Sequence, residues 1–115
     1  MLNILLGFLI TSILFMSPFH VNAKDNDQKN LENLVIKVSK KFSRTYCNTF
    51  KFGISNDGAV EFALGETNKE FAKNKMYQDI DLASVSKQII SNIENECQVY
   101  DFPENELNKL NINIK

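Results

Sequence analysis

The chain has 115 residues and a net charge of −1, with 13 lysines and arginines set against 14 aspartates and glutamates. The two signs are interspersed, with no basic stripe or polybasic patch, which argues against nucleic acid and against anionic lipid as partners. Two cysteines, one histidine and no tryptophan describe one small domain, near the size at which a hydrophobic core begins to need covalent help.

Residues 1–23 read as a secretory signal. The apolar stretch Ile4–Met16 has the length of an h-region, roughly 7–15 residues, and Pro18 breaks any helix after it. Val21 and Ala23 are the small residues that signal peptidase reads, so cleavage is expected after Ala23. No lysine or arginine occurs in Met1-Leu2-Asn3, a departure from the usual basic start. The rival is an uncleaved anchor, because Leu2–Val21 just reaches the roughly 20 apolar residues of a span. Lys24 on its far side opposes retention. The membrane is therefore expected as a partner only through an uncleaved segment.

His20 lies in the part expected to be removed. A mature chain without histidine lacks the commonest general base and metal ligand, which excludes His-assisted nucleophiles and most zinc sites. Export also settles how Cys47 and Cys97 are read. An even count in a small exported chain predicts a disulfide. Closing a loop of about 50 residues stabilises by roughly 4 kcal/mol on the chain-entropy account. The redox alternative lacks the C-x-x-C spacing that lowers a thiol pKa.

In the mature chain, Lys24–Lys29 is polar and frayed. Leu31, Leu34, Val35, Val38, Phe42 and Tyr46 recur at helical spacing. They predict a helix from about Gln28 to Asn48, capped by Asp27 or Asn30. Lys37, Lys40, Lys41 and Arg44 cover its other face. The stretch 50–64 supports two readings. A three-residue Asn56-Asp57-Gly58 loop pairs Ile54 with Val60 and Phe52 with Phe62 in a β-hairpin, with Gly58 left-handed. Alternatively Phe52-Gly53 is a turn, Ser55 or Asn56 caps a helix, and Gly65 ends it. Thr67-Asn68-Lys69-Glu70 has the form of a capping box for a short helix over 68–76, with Phe71 facing in. Asp79 or Asp81 caps the last helix, whose stripe is Leu82, Val85, Ile89, Ile93 and Cys97, with Ser84, Ser86, Lys87, Ser91 and Glu94 outside. Val99-Tyr100-Asp101-Phe102-Pro103 stops it, and 104–115 reads as a loose or weakly helical tail.

The elements Phe42-Ser43-x-x-Tyr46-Cys47-Asn48, Gly53-Ile54-Ser55, Ala59-x-x-Phe62 and Glu66, followed by a helix ending in Cys97, resemble a pattern in small exported proteins of marine cyanobacteria. The similarity spans about 34–100. It implies a helical domain with paired cysteines in the periplasm or thylakoid lumen, and it brings no activity, substrate or catalytic residue with it. It also implies a helix–helix turn at Gly-Ile-Ser, which favours helix over hairpin in 50–64.

No residue set reaches a reaction. A calcium loop centred on Gly58 would need ligands at Gly53 and Leu64, which supply no carboxylate. Glu66, Glu70, Asp79 and Asp81 could gather four oxygens for a cation or an acid–base pair, but capping accounts for most of them. Phe42, Tyr46, Phe50, Phe52, Phe62 and Phe71 either fill the core or line a pocket for an apolar ligand, with core favoured. The expected fold is mainly α, a domain of three to four helices over 24–103 stapled by Cys47–Cys97, with α+β through a hairpin over 50–64 as the alternative. No catalytic, cofactor or metal residue is assigned. The expected role is protein–protein contact without catalysis, with an apolar-ligand carrier as the second reading.

Overall fold

Helix α1, Ala23–Lys51, is the element on which the others pack. The structure is a computed structural model that describes residues 23–112. The signal expected over 1–23 therefore lies, but for Ala23, outside the described residues. Leu34, Val38, Phe42 and Tyr46 bury one stripe of α1, and Leu31 and Val35 flank it. The helix is longer than predicted at both ends. Asp27 and Asn30, expected as caps, are exposed within it, because no glycine or proline interrupts 23–51. It stops where Phe52 N–H donates to the Asn48 and Thr49 carbonyls and Gly53 N–H donates to Phe50. Gly53 takes φ +86°, the left-handed conformation that lets the chain leave a helix C-terminus.

Helix α2, Asn56–Phe71, follows after four residues, so the helical reading of 50–64 holds and the hairpin does not. No strand occurs among the described residues. Ser55 is the N-cap, its hydroxyl accepting from Gly58 N–H at 3.2 Å. Two expectations fail here. Gly65 does not end the helix, and Thr67 does not open a new one over 68–76. A glycine inside a helix costs about 1 kcal/mol but does not break it. Ala59, Val60, Ala63, Leu64 and Thr67 are all buried, and their packing carries one helix through the glycine. Thr67, fully buried, is not an exposed cap, and its Oγ1 has no hydrogen-bond partner.

A short 3-10 turn, Tyr77–Asp79, leads to helix α3, Leu82–Cys97. Asp81 rather than Asp79 caps α3, accepting from Ser84 N–H at 3.2 Å and Ser84 Oγ–H at 2.7 Å. Val85, Ile89 and Ile93 are buried, and Leu82 and Cys97 pack at the ends of the stripe. Ser86, expected outside, is buried with them. Between α1 and α3, Ser39 Oγ–H donates to the Val85 carbonyl and Ser43 Oγ–H to the Ile89 carbonyl, each at 3.4 Å. Ser43 shares that one proton with its nearer acceptor, Ser39 O, at 2.7 Å. Small side chains here let two helices approach, and their hydroxyls use backbone carbonyls as acceptors.

Cys47 and Cys97 form the expected disulfide, with a Cα–Cα distance of 5.6 Å. It ties the last turns of α1 to the end of α3. The tail is not loose over 104–112. A 3-10 helix, Glu104–Lys109, brings Leu107 to the core, and Leu110 and Ile112 follow it in. Phe102 anchors the approach, its ring edge-on to Phe42 at 5.8 Å and to Tyr46 at 5.2 Å. The core thus draws on α1, α2, α3 and the C-terminal segment together.

Candidate functional site

The six aromatics singled out from the sequence divide by position. Phe42 and Tyr46 are fully buried and Phe71 is half-buried against Tyr77, their rings 5.7 Å apart. Phe50, Phe52 and Phe62 are exposed, at 38%, 86% and 52%. The core reading is right for the first three and wrong for the others. The reason is local. Phe50 lies past the α1 stripe and stacks on the outer side of Tyr46, 5.9 Å between centroids. Phe52 stands on the Gly53 turn, outside both helices, and Phe62 is opposite the buried face of α2.

Phe52, Ile54 and Phe62 together line a groove of about 570 Å³ between the last turns of α1 and the outer flank of α2. Ile54, 48% exposed, is held there by a close fit to Gly58. A Cβ at Gly58 would come within 3.0 Å of Ile54 Cγ2 and 3.2 Å of Ser55 Oγ. Thr45, Asn48 and Thr49 form the α1 wall, and Lys41 and Glu66 stand at one end with opposite charges. Tyr46 hydroxyl donates to Asn56 Oδ1 at 2.5 Å, fixing the start of α2 against α1 beneath the turn. Burial, and to a lesser extent the charge of Asp101, raises the Tyr46 pKa, so the phenol stays protonated.

The four carboxylates considered from the sequence do not form one cluster. Glu66 lines the apolar groove, and Glu70 pairs with Lys41 at 3.9 Å in a half-exposed contact of small energetic weight. Asp79 and Asp81 instead border a second hollow of about 430 Å³ beside Leu31, Val35 and Ile80. Asp81 is occupied as a cap, and its hydrogen bonds from Ser84 lower its pKa. Among the described residues, no three His, Cys, Asp or Glu side chains are grouped to hold a metal ion. None of the described helices is long and apolar enough to cross a membrane.

A third hollow, about 420 Å³, lies beside Tyr77, Leu110 and Asn111. Here sequence reasoning missed a structural hub. Asn68 Oδ1 accepts from Tyr77 hydroxyl at 2.7 Å and Asn111 N–H at 2.9 Å, while its Nδ2 donates to the Lys109 carbonyl at 3.2 Å. The polar stretch Thr67–Glu70 carries no periodicity that marks Asn68. No protein-family model, curated protein or solved structure matches this chain.

Proposed function

We propose that the protein is exported and works by protein–protein contact, without catalysis, through the groove formed by Phe52, Ile54 and Phe62. The observation that carries this reading is the exposure of those three side chains on a single surface, with Phe52 at 86%. Single exposed hydrophobes are ordinary, but large apolar side chains gathered around one groove mark an interaction surface. Aromatic anchors ringed by polar groups, here Lys41, Asn48 and Glu66, have the makeup of an interface centre and its rim.

Export is supported by the signal pattern of residues 1–23 and by a disulfide of the kind that persists in oxidising compartments. The periplasm or thylakoid lumen follows from the resemblance alone. The apolar-carrier reading is weaker. The groove exceeds the roughly 300 Å³ of a small ligand site but is open, whereas such sites bury most of their ligand.

The test compares wild type with a Phe52→Asp/Phe62→Asp variant expressed in the source cell. Native size is measured in the extracted compartment, with circular dichroism as the control for folding. A complex larger than the free chain that dissolves in the folded variant supports the reading. Identical elution of the two forms contradicts it.

A further inference from the structure

The groove surface has three properties that bear on what covers it. The first is shape. Phe52 projects from the Gly53 turn while a hollow of about 570 Å³ opens beside it, so one patch offers both a knob and a hole. A two-fold axis sets the same patch of two subunits face to face, and a patch with both features satisfies itself.

The second is charge. Lys41 and Glu66 line the same hollow, and Glu70 pairs with Lys41 at 3.9 Å, so no large charge of one sign sits on the patch. With a net charge of only −1, long-range repulsion between copies is slight.

The third is Gly65. It is exposed on the outward face of α2, three residues after Phe62. A Cβ added there would meet nothing within 4 Å, so no contact inside the chain calls for glycine. Gly58 differs, because Ile54 occupies the space its side chain would need. A mid-helix glycine weakens a helix. The bare backbone at Gly65 is what another backbone needs for close approach.

We propose that this face binds a second copy of the chain in a two-fold dimer. Phe52 of each protomer enters the groove of the other, and the two α2 helices cross near Gly65. The proposal rests on the groove being a protein-docking surface and names its occupant. Phe52, Ile54 and Phe62 supply the apolar centre, and the polar face of α2 with the end of α1 supplies the rim of an interface of about 800 Å² per partner.

Sedimentation equilibrium on the purified, disulfide-bonded protein tests it, from about 1 µM to about 1 mM. A reversible monomer–dimer equilibrium is expected, weakened at least about tenfold by Phe52→Asp or Phe62→Asp with an unchanged circular dichroism spectrum. Gly65→Ala adds an opposed readout. It raises the melting temperature of the dilute monomer through helix propensity and weakens the dimer, whereas a role inside the monomer alone leaves association unchanged. A monomer at every concentration, or a dimer indifferent to both aspartates, overturns the proposal. If a monomeric protein still cross-links from position 62 to a different protein in its compartment, the second copy is excluded and the docking surface stands. No cross-link at all removes both.

Discussion

Tyr77 and Asn68 share a hydrogen bond of 2.7 Å that ties the 3-10 turn to α2, and the same Asn68 oxygen accepts from the backbone of Asn111. One side chain therefore holds both the segment before α3 and the C-terminal segment after it. Asn68→Ala leaves the buried Tyr77 hydroxyl without its acceptor and frees 109–111 from α2. It should destabilise by about 2 kcal/mol, measured by chemical denaturation, and speed amide exchange at Asn111 and Ile112. A loss within error of zero would mean the clasp contributes nothing.

The staple between Cys47 and Cys97 closes a loop with a sequence separation of 50. On the chain-entropy account it contributes about 4 kcal/mol, a large fraction of what a domain this size holds. Reduction, or the Cys47→Ala/Cys97→Ala pair, should lower the denaturation midpoint accordingly. Cys47 is 1% exposed and Cys97 partly buried, so a thiolate reaches the bridge only through Cys97, and reduction should accelerate once denaturant opens the fold. An unchanged midpoint after complete reduction would contradict this.

Thr67 Oγ1 is buried without a partner, so the helix carries the desolvation of a hydroxyl with nothing in return. Thr67→Val keeps the shape and removes the polar atom. It should stabilise by about 1 kcal/mol in equilibrium unfolding. Destabilisation of that size would show that the hydroxyl is bonded in solution.

Alkaline sensitivity follows from the buried phenols. Burial pushes Tyr77 from 10.0 up to about 12, against a smaller lowering by the Asn111 backbone, and Tyr46 is raised in the same direction. A folded-state pKa above the unfolded value means the protonated phenol is favoured by folding. Its contribution is complete below pH 10 and is lost as pH rises through about 12. Ellipticity should fall together with the appearance of tyrosinate absorbance in that window. Tyr77→Phe should flatten the dependence, and an identical profile in the variant would refute the assignment.

Much of the fold could be read from residue spacing, and the failures have specific causes. The stripes Leu34–Tyr46 and Val85–Ile93 bury as their periodicity predicts. Gly65 misled because a glycine signals a helix end only when no packing continues past it, and the buried Thr67 beyond it reads as polar. Ser39 and Ser43 carry no sequence mark of the α1–α3 seam, nor Ser86 of its burial, because a serine looks alike on either face of a helix. Leu107, Leu110 and Ile112 stand diluted among asparagines and charges, and the Asn68 clasp that joins their segment to α2 is a contact of 41–43 residues' separation. The groove was hidden for a related reason. Residue type alone makes Phe52 and Phe62 core candidates, and only the Gly53 turn and the rotation of α2 put them outside.

Site-specific photo-cross-linking in the source cell tests the groove most directly. A photoreactive phenylalanine analogue replaces Phe62 in one strain and Lys87, exposed on α3, in another. The account predicts a discrete cross-linked protein adduct from position 62, absent from position 87 and lost when Phe52→Asp is added. Equal labelling from both positions, or no adduct from 62, would contradict it.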